Sequence, residues 1–151
     1  MKQPLTEVAA LQSALEAEHA AVYGYGIAGA RLRGERATLA RSAYESHRTR
    51  RDQLVRMVRE RDATPAASAV AYDLPFPVRS ADEAVDLAVW LEEGVAAAYA
   101  DVVQAAARDL RMFAAQGLRE VAVRAVRWRG RSVAWPGLPE RSAGPERKPR
   151  S

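Results

Sequence analysis

Residues 63–79 read ATPAASAVAYDLPFPVR, seventeen residues with three prolines and no helical period. Everything around this stretch is helical in pattern, so its length decides how the helices are arranged. At about 3.3 Å per residue it spans up to roughly 56 Å, whereas a 26-residue helix is about 39 Å long. The segment can therefore run from one end of a helical bundle to the other, and the helices on either side of it are expected to be parallel. Its apolar part, LPFPV, is expected to pack along the outside of the bundle.

Two helices are predicted before the crossover. The first runs from about Thr6 to Arg33, with Val8, Leu11, Leu15, Glu18, Val22, Tyr25, Gly29 and Leu32 recurring at spacings of three and four. The second follows the break at Leu32-Arg33-Gly34-Glu35 and runs from about Arg36 to Asp62, with Leu39, Ala43, His47, Arg50, Leu54, Met57 and Val58 facing inward. Two more are predicted after it. Ser80 and Glu83 have the spacing of a capping box, which starts a helix reaching about Arg108 through Val85, Ala88, Glu92, Ala96, Tyr99 and Val103. The last runs from about Leu110 to Trp128 through Ala114, Gly117, Val121 and Ala125, with no inward carboxylate. Short first and third connections make each flanking pair antiparallel neighbours. The expected fold is all-α, a ferritin-like four-helix bundle with a long crossover between helices 2 and 3.

The chain has 151 residues, 48% of them hydrophobic, enough for one domain with a real core. No apolar run is long enough to span a membrane and the N-terminus lacks the apolar core of a secretory signal, so a cytoplasmic protein with no membrane contact is expected. With no cysteines, disulfides, thiolate metal sites and cysteine nucleophiles are excluded, and any metal must be held by carboxylate and imidazole. The net charge of +4 belongs to the C-terminal end: from Arg129 onward there are six Lys or Arg and two Glu, which leaves 17 of each sign before it. Residues 1–139 are read as the folded domain and residues 140–151 as a disordered basic tail rich in proline and arginine.

Four inward positions, Glu18, His47, Arg50 and Glu92, are polar where a leucine would serve. Two buried glutamates facing each other require a compensating cation, and the guanidinium of Arg50, with five donors, can supply it. The expected arrangement is a buried polar cluster of Glu18, Tyr25, His47, Arg50, Glu92 and Tyr99, neutralised by Arg50 and needing no cofactor. A reduced site in which Glu18, His47 and Glu92 hold one iron or manganese is the alternative. His19, about 100° off the seam, and Glu93 are read as flanking. GYGIAG, residues 24–29, matches G-x-G-x-x-G formally, yet no strand precedes it, so these glycines are read as allowing close helix approach or room beside Tyr23 and Tyr25. The residues Arg124, Arg127, Trp128, Arg129, Arg131 and Trp135 resemble a basic aromatic patch, which would allow weak nucleic-acid contact together with the tail. The competing reading has the tryptophans closing the bundle end with arginines stacked on them.

The set EHAAVYGYGIAGARL, SHRTRRDQL, YDLPFPV, LEEGVAAAYA and AVRWRG, spread from Leu11 to Pro139, resembles a domain of unknown function found in high-GC actinobacteria, a ferritin-like family with no established activity. In di-metal members of the ferritin-like superfamily, two helices each give one inward Glu and the other two each give Glu-x-x-His. By that resemblance Glu18 and Glu92 match the lone glutamates. Helix 2 instead carries His47-Arg-Thr-Arg50, Glu45 faces away, and helix 4 has only Glu120 followed by Val123. The comparison therefore implies a degenerate di-iron site and leaves the chemistry open; the preferred reading is a non-catalytic role through a homodimer or another protein partner. A metal-binding oxidoreductase with Tyr25 or Tyr99 beside the metal, and an RNA- or ribosome-associated protein acting through the basic C-terminal region, are the alternatives.

Overall fold

The computed structural model describes residues 5–130. The expected disordered tail at 140–151, and Arg131 and Trp135 of the basic patch, lie outside the described residues. The described residues form four helices, α1 (Glu7–Arg31), α2 (Gly34–Arg59), α3 (Ala81–Ala105) and α4 (Arg108–Arg129). Each boundary follows from local chemistry. Thr6 caps α1 by accepting from the Ala9 amide. At the start of α3 the capping box is complete, with Ser80 accepting from the Glu83 amide and Glu83 accepting from the Ser80 amide. Gly34 opens α2 at φ 57° and Gly130 closes α4 at φ 78°, both in the left-handed region that only glycine enters without strain. Asp62 takes the same region just past α2, as a short polar side chain can.

α1 packs against both α2 and α3, and α3 packs against α4. The apolar core divides into two halves that reveal the directions of the helices. One half gathers Leu11 and Leu15 of α1, Leu54 and Val58 of α2, Tyr99 and Val102 of α3, and Leu110 and Ala114 of α4. The other gathers Ala28 and Leu32 of α1, Ala40 and Ala43 of α2, Leu87 and Ala88 of α3, and Trp128 of α4. α1 and α4 thus run one way, α2 and α3 the other, and the connection at 60–80 crosses from end to end as its length allowed. The result is an all-α four-helix bundle with the long crossover between α2 and α3.

The crossover is tied to α1 rather than free. The Gln12 amide group donates to the Thr64 carbonyl and accepts from the Ala66 amide, His19 donates through Nε2 to the Ala66 carbonyl at 3.0 Å, and Tyr23 packs on Tyr72. Leu74, Phe76 and Val78 then close over the second core half. At the opposite end Glu7 accepts from Arg61 at 2.6 Å and from the Ala107 amide at 3.1 Å, joining the crossover's start to the α3–α4 corner. The Arg61 hydrogen bond, chiefly, holds the Glu7 carboxyl below the usual carboxylate range.

Candidate functional site

Between the two apolar halves lies a layer of polar side chains, one or two from each helix. Glu18, His47 and Glu92 are fully buried. His47 stands at the centre: Nδ1–H donates to Glu18 Oε2 at 2.6 Å and Nε2–H donates to Glu92 Oε1 at 3.2 Å. The two tyrosines close the flanks. Tyr99 donates its hydroxyl to Glu18 Oε1 at 2.7 Å, and Tyr25 donates to Glu92 Oε1 at 2.5 Å while accepting from Trp128 Nε1 at 2.8 Å. Arg124 of α4 completes the set, with Nε 3.0 Å from Glu92 Oε1 and Nη1 donating to Ser46. An unbroken hydrogen-bond chain therefore runs from Trp128 through Tyr25, Glu92, His47 and Glu18 to Tyr99.

The electrostatics of this layer are closed. Burial works against an imidazolium, yet the charge and hydrogen bond of Glu18, then those of Glu92, raise His47 to about 9. Burial likewise opposes the Glu92 carboxylate, but His47 and Arg124 hold it below the usual range. Tyr25 and Tyr99 are pushed well above their ordinary values by burial and by the neighbouring carboxylates, so both are neutral donors at physiological pH. At neutral pH two carboxylates face one imidazolium and one guanidinium, and the charges cancel. A single loose end remains: Glu92 Oε2 is buried without a partner, and Oε1 carries three donors.

Of the expected cluster, Glu18, Tyr25, His47, Glu92 and Tyr99 are brought together. Arg50 is not the neutralising cation. Although only 8% exposed, it turns to Glu120 of α4 at 2.8 Å and lies over the Phe113 ring, 4.8 Å from its centroid. The cation beside Glu92 is Arg124, which sequence reasoning placed in the basic aromatic patch. Its position three residues after Val121 and four before Trp128, on the shoulder of the apolar line of α4, is the signal that could have found it. Glu120, read as off that line, is the partner Arg50 finds.

The remaining patch residues divide. Arg129 forms an ion pair with Glu93 and Trp128 is buried against Tyr25, with ring centroids 6.3 Å apart, while Arg127 is exposed. The glycines of GYGIAG divide as well. Gly24 permits close approach of α3, since a Cβ there would lie 2.5 Å from Leu91 Cδ1, whereas Gly26 and Gly29 face open space. Gly117 of α4 does for Tyr99 what Gly24 does for Leu91, with the ring 3.0 Å from a would-be Cβ.

A metal at Glu18, His47 and Glu92 would meet a specific obstacle. A ligating imidazole must be neutral and offer a lone pair, and here each ring nitrogen already faces a carboxylate oxygen, Nδ1 at 2.6 Å from Glu18 and Nε2 at 3.2 Å from Glu92. Among the described residues no group of three or more histidine, aspartate or glutamate side chains is arranged to hold a metal ion. No described helix is long and apolar enough to cross a membrane.

Residues 10–140 match the family model "Domain of unknown function (DUF4439)". Among solved structures the chain is similar to a conserved hypothetical protein, rv2844, from Mycobacterium tuberculosis. The two are 40% identical with a TM-score of 0.81, and the similarity covers 85% of this chain and 98% of that one. No curated protein matches the chain.

Proposed function

This chain belongs to the DUF4439 family, and we propose that it is a non-catalytic, ferritin-like bundle that works in the cytoplasm through its surface as an interaction or scaffolding protein. In this reading the polar layer stands where metallated ferritin-like proteins keep a di-metal centre. Support for the ferritin-like relation comes from the crossover topology and from the two lone inward glutamates on α1 and α3. The single observation that carries the proposal is the double engagement of His47, both of whose ring nitrogens donate to carboxylates.

A metal seated on these residues would have to displace the ring protons and the Arg124 guanidinium from Glu92, and would then add charge to a set already neutral. The residues present do not fit the group. The chemistry left to them is structural: removing one member of such a set strands a buried charge and costs about 3–5 kcal/mol. Outward-facing Trp90, Met112 and Val123, 45%, 65% and 47% exposed, are available for contact with a second copy or another protein.

Elemental analysis of protein from cells grown with iron and manganese tests the reading. The expected result is no stoichiometric metal in wild type. About one metal atom per chain, lost in Glu18→Ala or His47→Ala, would replace this reading with the reduced metal site. Two per chain would make the protein a di-metal carrier with unusual ligands.

A further inference from the structure

The long side of the bundle formed by α3 and α4 lies opposite the pair α1 and α2, and the crossover's tethers at Gln12, His19 and Tyr23 are all on α1. The seam between α3 and α4 is marked inside by Glu92 with Arg124 and outside by Glu93 with Arg129. Counting from the outer pair in threes and fours gives the residues that flank the seam on its solvent side. They are Ala97 and Ala100 on α3, and Val126, Ala122, Leu118 and Ala115 on α4, none of them buried. A solvated helix face is ordinarily charged or polar, yet here Arg119 is the charge that stands beside this apolar strip. The inward lines of α3 and α4 already close the contact between the two helices, so the bundle itself does not call for apolar residues on the outside.

Charge narrows what can cover this face. Between Ala81 and Ala105, α3 carries six acids and no base, whereas α4 carries six arginines and two acids. A second copy that laid α3 on α3 and α4 on α4 would oppose like charges along both helices. A two-fold axis parallel to the bundle instead lays α3 of each copy on α4 of the other, acid helix against basic helix. The size is adequate as well. Helices of 25 and 22 residues with axes about 8–10 Å apart give a face of roughly 650 Å² in flat projection, within the roughly 600–1,000 Å² per partner of a stable interface.

We propose that the outer face of α3 and α4 is the interface of a homodimer, with the two copies related by a two-fold axis parallel to the bundle. The proposal rests on the reading of the protein as one that works through its surface, and it names the partner and the face. One pairing follows from the levels of the residues along the bundle. Glu92 is level with Arg124, and Tyr99 with Gly117, which makes Arg119 level with Ala97, about one turn from Glu93. A parallel two-fold axis keeps these levels, so Glu93 of each copy comes within reach of Arg119 of the other. The strip of alanine, valine and leucine then closes between the two charge pairs.

The test is sedimentation equilibrium of the full chain after treatment with a chelator, at low and high micromolar concentration. The expected result is a reversible species of twice the 16.5 kDa chain mass. Glu93→Arg alone and Arg119→Glu alone each oppose like charges at both ends of the contact, and each should weaken self-association about tenfold or more. Mixing the two variants in equal amounts should restore it, because in the mixed dimer each contact again joins an acid to a base. Both residues are exposed, and thermal unfolding followed by circular dichroism checks that the bundle is intact. A chain that stays monomeric overturns the dimer and leaves the non-catalytic reading to be judged by metal content. A dimer that neither reversal weakens overturns the choice of face, as do reversals that mixing fails to rescue.

Discussion

Raising the pH from 6 to 10 should unload the centre of the molecule through a single proton on His47. In the unfolded chain this histidine titrates near its ordinary value of about 6.5, and in the folded chain near 9. A group whose folded value is raised contributes stability that is fully present below the unfolded value and lost as pH rises through the folded one. Two and a half units correspond to about 3 kcal/mol, lost between pH 6.5 and pH 9, because the neutral ring leaves one of its two carboxylate contacts without a proton. Urea unfolding at half-unit steps from pH 6 to pH 10, on wild type and His47→Gln, measures this directly. The wild-type curve should fall across that window, while His47→Gln should start lower and stay flat, and its curve also corrects for the terminal amine and the two lysines. Nitrogen-15 chemical shifts of the His47 ring should change with a midpoint near 9. A wild-type stability that does not decline between pH 6.5 and 9, or a His47 midpoint near 6.5, would refute the imidazolium bridge.

Arg124→Ala should destabilise by about 3 kcal/mol, as expected for stranding the buried Glu92. Arg50→Ala, whose partner Glu120 is one-third exposed, should cost only about 1 kcal/mol; thermal unfolding of the two variants side by side checks the order, and equal losses would return Arg50 to the centre. Tyr25→Phe removes a donor to a charged oxygen and leaves the Trp128 indole N–H unpaired, so chemical denaturation should register a loss of about 2–3 kcal/mol. Gly24→Ala should destabilise by about 1–3 kcal/mol through its clash with Leu91, while Gly94→Ala, where a Cβ meets nothing, should stabilise by up to about 1 kcal/mol. On the acid side, Glu92 is held below its ordinary value, so its contribution is present above about pH 4.5 and lost as pH falls. Glu92→Gln should therefore shallow the acid limb of the stability curve, and an unaltered limb would show that Glu92 is not charged in the fold.

The helices and their directions were legible because helical period, the Ser80–Glu83 box and the reach of residues 63–79 are all local or arithmetic properties of the chain. The burial of Glu18, His47 and Glu92 was legible for the same reason, since each sits on the seam of its helix. The identity of the cation was not. Periodicity gives the direction of a Cβ, and by that measure Arg50 points inward and Arg124 only sideways. An arginine head, however, lies several bonds from its Cβ and goes where a partner is: Arg50 swings to Glu120, and Arg124 reaches in from the shoulder of α4 to Glu92. The approach of α4 to α2 in one case and to α3 in the other is a tertiary fact, carried by no single helix. The uneven roles of the glycines were hidden likewise, because Gly24 and Gly26 differ only in what stands opposite them.

The distribution of charge in the polar layer also bears on how the chain reaches its fold. Glu18 and His47 lie on the first hairpin, and Glu92 and Arg124 on the second. Within the layer each hairpin thus carries one acid and its own base, so these two pairs can form before the hairpins meet. Contacts that cross between hairpins, among them His47 to Glu92, Tyr25 to Glu92, Tyr99 to Glu18, Trp128 to Tyr25 and Arg50 to Glu120, can close only at docking. Weakening a crossing contact should mainly quicken unfolding, whereas breaking a pair within one hairpin should also slow folding, because that half would meet its partner carrying an unbalanced charge. The layer is then an assembly seam, at which each helical pair presents one acid beside its own base.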